Sequence, residues 1–539
     1  MNTNNIDLIP KLEAALSQQN WEEVSSLLNP KLFRTLQSEE LIAFSVLAKV
    51  AQILVTDDST VPKNIKIACL KCLGNSCFNG YKHKEYIQSN IECGIFCHKL
   101  YSRLATSNES FEEKEICQSY ASNSHFPYEG VIEWTSNFII SYKADEDLLD
   151  EQLEILRLSV QFLCNLFTFA CKDTSFPDQY NVPKCLYDTN LKTVIMNLTH
   201  SEHVPLIRAS CVFIHNALKE FEGKTFTELE KIHLCSKLLK PIKNGFESAK
   251  ESLMFLLCQS NVLRNAYNDM DIEDKLYLLE IIHSEISDTV YNSKKEHLFA
   301  IDTVEFLAES FCRKSDLILK TADTCSDKME PTEIVIILDI LGTLTSGSLK
   351  EYNFLKNYRS LLINCIYLLK SIQMLGKESN NCFTPMQRLS DVAPAAQGIS
   401  EDNELGGNSN IGETKEGEKN SGRNDFYSHP AFGFKAGLIR VIGNMSYRNK
   451  DCQDLLREMD AIPLLLDCCN IDARNPLIMQ WTILALRNLC ENNPGNQEII
   501  RNCTRTGIVE NSVLQEMGLT LHEEEGKRIG IVPLIRDNK

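Results

Sequence analysis

Glycine and proline are scarce in this chain, 23 and 16 among 539 residues. Few turns are expected, and helices are favoured over a strand-rich fold. No uninterrupted apolar run reaches the roughly 18 residues that a membrane helix needs, so no membrane insertion is expected. Long basic runs are missing too, and the formal net charge is −18. That balance argues against nucleic acid, whose phosphates demand a basic face. The opening MNTNNIDLIPKLEAAL has neither the basic start nor the apolar core of a secretory signal. The 21 cysteines are therefore expected in a reducing, cytoplasmic setting, as small buried hydrophobes.

Motifs that carry chemistry are missing as well. The stretch Gly412–Lys419 has the spacing of neither nucleotide-binding loop, and no His-Glu-x-x-His helix or Gly-x-Ser-x-Gly elbow occurs. His429 and His522 stand alone in polar surroundings and read as surface residues. Cys69-x-x-Cys72 and Cys93-x-x-x-Cys97 are the best metal candidates, since paired thiolates are zinc's usual ligands. Cys69 and Cys72, however, lie one turn apart on a helical stripe, without the Gly or Pro turn that zinc pairs favour. Adjacent Cys468 and Cys469 read as packing residues. No catalytic residue, cofactor, metal or enzymatic activity is expected.

The chain is organised around Phe434–Arg501. Phe434, Leu438, Val441, Ile442 and Met445 form a helical stripe. A turn at 448–451 leads to a short helical piece, Cys452–Met459. Ile462-Pro463 and Asn475-Pro476 each predict a helix opening with proline at the first position, where its missing N–H costs nothing. Ile478, Thr482, Ala485, Leu486 and Leu489 line the last of these helices, with Leu486 expected to be buried, and Asn492–Gly495 stops it. Shifting the segment by 44 residues lays it on itself: Gly443-Asn444-Met445 on Arg487-Asn488-Leu489, Gln453 on Gln497, Leu455-Leu456 on Ile499-Ile500. A helical unit of about 40–47 residues marks HEAT/armadillo arrays, whose repeats bury their apolar faces only by stacking on one another.

DAIPLLLDCC followed by ALRNLCENNPGNQEII resembles an armadillo repeat, and GLIRVIGNMSYRNKDCQD…IPLLLDCCNIDARNPLIMQWTILALRNL resembles the C-terminal homology region of the ataxin-10 family. CCNIDARNP between two armadillo helices is not generic repeat consensus. The resemblance implies a cytoplasmic adaptor, at the centrosome, basal body or midbody, with roles in cell division, cytokinesis, neuron survival and neurite outgrowth. It implies signalling and cell-division proteins as partners, among them an O-linked N-acetylglucosamine transferase, and leaves room for a homo-oligomer. It brings no catalytic residues.

Before that region, helical patterns begin at 8–17, 21–28, 30–36 and 39–55, and Pro62 starts a helix carrying IACLKCLGNSCFN. They run on through 227–239, 247–265, 272–286, 296–311, 333–344 and 351–373, while 106–147 interrupts the rhythm with expected longer loops. Five of the helices carry an Asn beside apolar residues, Asn75, Asn165, Asn216, Asn444 and Asn488. In an armadillo-like array such an amide can bond a neighbouring repeat. Gly342-Thr343-Leu344 stands where another Asn would be expected. The expected fold is an all-α, armadillo/HEAT-like α-solenoid. A helical array covers 1–375, a flexible acidic Gly-rich insertion 376–426, the C-terminal repeats 427–510, and a cap or loose tail 511–539. The insertion is too poor in apolar residues to offset its ordering entropy.

Armadillo arrays bind extended partners along their inner helices. Nuclear-import receptors of the importin-α type carry a Trp four residues before each such Asn. Here those positions hold Lys71, Gln161, Val212, Arg440 and Leu484, and Trp481 lies on a different line. A scaffold or adaptor that binds protein partners is the expected function, and an importin-like transport adaptor or cargo receptor for basic peptides is the alternative. The candidate partner-binding groove comprises Arg440, Asn444, Arg487 and Asn488. Its guanidinium groups suit a partner's carboxylates.

Overall fold

The structure is a computed structural model that describes residues 8–34, 44–56, 60–79, 129–143, 149–170, 184–292, 298–322, 329–378, 381–386, 429–470, 472–503, 519–524 and 528–533. These residues form an all-α array of the solenoid class with one small hairpin. Two units divide it, residues 1–266 and 267–539.

The first unit holds α1 Leu8–Ser17, α2 Trp21–Leu27, α3 Phe44–Val55, α4 Lys63–Ser76, α5 Glu129–Ile140, α6 Asp150–Ala170, α7 Thr189–Leu198, α8 Val204–Glu220, α9 Glu228–Lys237, α10 Leu239–Lys243 and α11 Glu247–Leu257. α12, Val262–Tyr267, closes it. Within this unit α4, α6, α8 and α11 pack side by side in chain order. α5 lies inside the stretch expected to be loops. Its Trp134 stacks on Phe138, 5.4 Å between centroids, and Val131 and Ile139 are buried. Apolar periodicity there outweighs the polar flanks. Cys93 and Cys97 lie outside the described residues.

The second unit holds α13 Ile272–Asn292, α14 Ile301–Lys314, α15 Met329–Leu344, α16 Arg359–Glu378, α17 Phe434–Ser446, α18 Lys450–Glu458, α19 Ala461–Leu466, α20 Ile478–Cys490 and α21 Pro494–Asn502. Here α13, α15, α17 and α20 pack in succession. β1 Leu519–Glu524 and β2 Arg528–Pro533 pair antiparallel, a departure from an all-helical chain. Among the described residues no helix is long and apolar enough to cross a membrane.

The repeat is visible in the backbone itself. The residues that precede α17 and α20, Gly433 and Leu477, both take left-handed φ, +75° and +59°. Arg448 and Asn492 match in the same way at +52° and +55°. Asn449 caps α18 by accepting from Cys452 N, and Asn493 caps α21 by accepting from Asn496 N, each satisfying an N–H that has no partner within its helix.

Two helix starts differ from expectation. Pro463 is the third residue of α19, after Ala461 and Ile462. Pro476 lies outside α20, because Leu477 takes the left-handed turn that redirects the chain. Only Pro494 opens its helix at the first position among these three. The start of the acidic insertion also shifts. α16 runs to Glu378, and 381–386 is tied down: Cys382 N donates to Ala322 O (3.1 Å) and Ala473 N to Met386 O (2.9 Å), with Phe383 buried against Gly376. Of the expected insertion, residues 387–426 lie outside the described residues.

Candidate functional site

The asparagines come first, because they hold the inner helices in register. Asn165 Nδ2 donates to Gly74 O (3.1 Å), Asn444 Nδ2 to Gly342 O (2.9 Å) and Asn488 Nδ2 to Gly443 O (2.9 Å). Asn216 Nδ2 reaches Cys164 Sγ (3.1 Å) and Thr168 Oγ1 (2.7 Å), and Asn75 Nδ2 reaches Pro30 O (2.8 Å). In three of these pairs the acceptor residue immediately precedes the previous asparagine. Apart from Asn75, whose acceptor Pro30 lies between α2 and α3, each amide thus bonds a group of the preceding inner helix, and leaving a buried carbonyl unmatched would cost about 1–3 kcal/mol. Asn364 was not singled out from the sequence, yet it does the same, donating to Cys312 O at 3.3 Å. Ile363-Asn364-Cys365 carries the signal that could have found it.

Arg440 lies one turn before Asn444 on α17 and is half-buried. Its Nη2 donates to Thr343 Oγ1 (3.1 Å), and Thr343 in turn donates to Asp339 O (3.1 Å). The guanidinium sits 5.4 Å from the Trp481 ring centroid, within cation–π range. A Cβ at position 342 would lie 3.3 Å from Arg440 Cδ and Nη1. Gly342, the counterpart of Gly443 one repeat earlier, therefore makes room for the arginine, while Thr343 stands at the asparagine position. Burial pushes the Asp339 carboxyl above its ordinary range, while His283 and Arg440 pull it partly back. His283 on α13, Asp339 on α15, Arg440 on α17 and Trp481 on α20 thus form a polar line across successive helices.

The four sequence-derived groove residues separate into two kinds. Asn444 and Asn488 have their amides engaged by the preceding helix, and Asn488 is 6% exposed. Arg440 is oriented by Thr343 and Trp481. Arg487 is exposed, and no acceptor among the described residues engages it.

Thiol chemistry has no foothold in the core. Cys69 and Cys72 are fully buried on α4, and burial pushes the Cys69 thiol up to about 12 and the Cys72 thiol further. A thiol that does not ionise is a poor nucleophile and a poor ligand. Cys468 is buried beyond the end of α19, and the described cysteines are all free thiols. Among the described residues no three His, Cys, Asp or Glu side chains gather as a metal cage.

A family described as "Spinocerebellar ataxia type 10 protein domain" matches residues 434–531. Ataxin-10 of Xenopus tropicalis is 27% identical over 511 residues, covering 92% of this chain and 89% of its own length. Ataxin-10 of Homo sapiens is 28% identical over 320 residues, 58% of each chain. The Ataxin-10 homolog of Dictyostelium discoideum reaches 41% over 97 residues, 18% of this chain and 16% of its own. The chain is similar to ataxin-10 proteins, most strongly where the family domain matches.

The matched family region begins at the first residue of α17 and ends inside β2, so it takes in β1 and most of β2 as well as the helices. Among solved structures, a chain from the study "A conserved phosphorylation switch controls the interaction between cadherin and beta-catenin in vitro and in vivo" covers 89% of this chain and 80% of its own. It is 11% identical with a TM-score of 0.29, too low to bear on fold or function. Trp481 stands off the asparagine line in the sequence, whereas the fold brings its ring to Arg440. Asp339 carried a readable signal, a lone acid in the apolar run IVIILDIL.

Proposed function

We propose that this chain is a non-enzymatic scaffold that binds protein partners along the polar line of its second unit, with Arg440, Trp481 and Arg487 as recognition groups. One observation carries the reading: the Arg440 guanidinium is held in place by Thr343 and Trp481, and the helix that supplies Trp481 also carries an exposed Arg487 that no acceptor among the described residues engages. A planar guanidinium that is already oriented loses little freedom when it meets a carboxylate. Acidic segments of partner proteins are the matching chemistry. Two arginines here would repel the basic peptides of an importin-like cargo receptor, so that alternative is not favoured.

Similarity to ataxin-10 proteins is the ground for the finer reading of a cytoplasmic adaptor at the centrosome, basal body or midbody. Its roles would be cytokinesis, neuron survival and neurite outgrowth, with an O-linked N-acetylglucosamine transferase among its contacts. The test is partner recovery by proximity labelling in dividing cells with Arg487→Glu and Arg440→Gln. Arg487→Glu is expected to lower recovery while leaving the melting temperature unchanged. Full retention of every partner by both folded variants would place the binding surface elsewhere.

A further inference from the structure

An open cavity of about 490 Å³ lies at the end of α17, where Tyr447 and Arg448 lead into α18. It is lined by Lys356, Arg448 and Lys450 against one carboxylate, Asp451. In a chain whose net charge is −18 this is a local excess of positive charge.

The turn itself does not require these cations. One repeat later the matching stretch is Glu491-Asn492-Asn493-Pro494-Gly495, which holds none. What the two turns share is structural: left-handed φ at Arg448 and Asn492, and the capping side chains of Asn449 and Asn493. Asn449 is committed to the fold, since its Nδ2 donates to Lys356 O (2.8 Å) and its Oδ1 accepts from Cys452 N (3.3 Å). Tyr447, Arg448 and Lys450 are additions to the repeat.

The three cations differ in how far they are neutralised. Lys450 is paired with Asp454 at 3.1 Å. Arg448 has a looser contact, Nε to Glu491 Oε1 at 3.7 Å. Lys356 is half-buried, and no carboxylate among the described residues pairs with its ammonium. A Cβ at Gly347 would lie 2.7 Å from Lys356 Nζ, so the glycine leaves the ammonium its place. Both Lys356 and Arg448 also face the exposed Tyr447 ring, 5.7 Å and 5.1 Å from its centroid. Attraction to the ring offsets part of their mutual repulsion. A ring engaged by two cations offers little surface to a nucleobase.

Two incompletely neutralised cations beside one ring match a dianion better than a single carboxylate. A phosphate monoester carries a charge of about −1.5 to −2 at pH 7, with three acceptor oxygens that both cations can share. The volume falls within the range of ligand sites, about 300–1,000 Å³, and leaves room for the residue that bears the phosphate.

We propose that this cavity is a recognition site for a phosphorylated side chain of a partner protein, with Lys356 and Arg448 sharing the phosphate. The site is separate from the Arg440–Arg487 line and does not rest on it.

The test passes the full chain over immobilised peptides with one central phosphoserine, phosphothreonine or phosphotyrosine among randomised neutral residues. The same peptides without phosphate, and with Glu at the centre, run in parallel. Retention on the phosphorylated peptides is expected to be at least about tenfold the stronger. Lys356→Gln with Arg448→Asn is expected to abolish that preference, and either change alone to reduce it. Asn is the residue that the next repeat holds in this backbone conformation, so the turn should fold, which an unchanged melting temperature checks. Lys240→Ala with Lys370→Ala, which removes two exposed charges elsewhere, is expected to keep the preference. Equal retention with and without phosphate would overturn the proposal, and if inorganic phosphate still binds in calorimetry, the cavity belongs to a small phosphate instead. Equal retention on the Glu peptides would make the ligand a carboxylate and overturn it too, without touching the Arg440 line. So would a preference that survives the Lys356/Arg448 variant or is lost in the Lys240/Lys370 one.

Discussion

The Asn488 side-chain amide donates to the carbonyl of Gly443 at 2.9 Å, and the Gly443 Cα faces Ala485 so closely that no Cβ fits between them. One hydrogen bond and one missing methyl group thus set the spacing of α17 and α20. Replacing Asn488 with Ala leaves a buried carbonyl unmatched, at about 1–3 kcal/mol. Gly443→Val forces the helices apart and is expected to cost about as much or more. Chemical denaturation of the two variants would measure both. A loss below about 0.5 kcal/mol for Asn488→Ala would show that the amide is not what sets the spacing.

Ile442 and Leu486 occupy matching positions, yet only Ile442 is fully buried. Ile442→Ala is expected to cost about 2–5 kcal/mol, whereas Leu486→Ala, at the end of the array, should cost about 1 kcal/mol. Equal losses in the same denaturation assay would mean that the Leu486 face is covered in solution.

Leu477 is 59% exposed and holds φ at +59°, where its counterpart is Gly433 at +75°. An exposed leucine gains nothing there and bears the strain of the left-handed region. Leu477→Gly is expected to stabilise the second unit by about 0.5–1 kcal/mol, read as a raised denaturation midpoint. A lowered midpoint would show that the side chain makes a contact that outweighs the strain.

Lys192 and Glu230 form an ion pair at 2.7 Å with 2% and 5% exposure, and Lys192 Nζ also donates to Thr225 O at 2.6 Å. Removing one partner strands a buried charge. Lys192→Met is therefore expected to cost about 3–5 kcal/mol, and the double change Lys192→Met with Glu230→Gln considerably less. A double-mutant cycle with no coupling would refute the pairing.

Asp454 accepts from Asn493 Nδ2 (2.9 Å), from Arg457 Nη1 (2.7 Å) and from Lys450. These donors, Asn493 foremost, hold its carboxyl down to about 2 from an ordinary 3.8. A depressed carboxylate contributes stability above its unfolded value and loses it as pH falls through the folded one. The stability difference between the wild-type chain and Asp454→Asn should therefore be full above about pH 4 and shrink towards about pH 2. A difference that is constant across this window would rule out the linkage.

The range of each interaction decided how legible it was. Helix positions, the 44-residue repeat and the five asparagines depend on neighbours within a turn or two, and the chain order alone specified them. The prolines at 463 and 476 misled, because left-handed residues at Asp460 and Leu477, not proline, redirect the chain. α5 was masked by its polar flanks. The hairpin went unread because its strands are short and gain their order from pairing.

By itself, then, the sequence determined an all-helical repeat array whose amides could bridge neighbouring helices, since helical periodicity is local. Only the tertiary structure decided which faces those helices cover. It put Trp481 on Arg440 across a helix boundary, engaged Asn444 and Asn488 with the carbonyls before them, and left Ile483 in the open. The physical reason is that an apolar stripe looks the same in sequence whether or not a partner helix arrives. Burial belongs to the packing, and packing is set by residues far away along the chain.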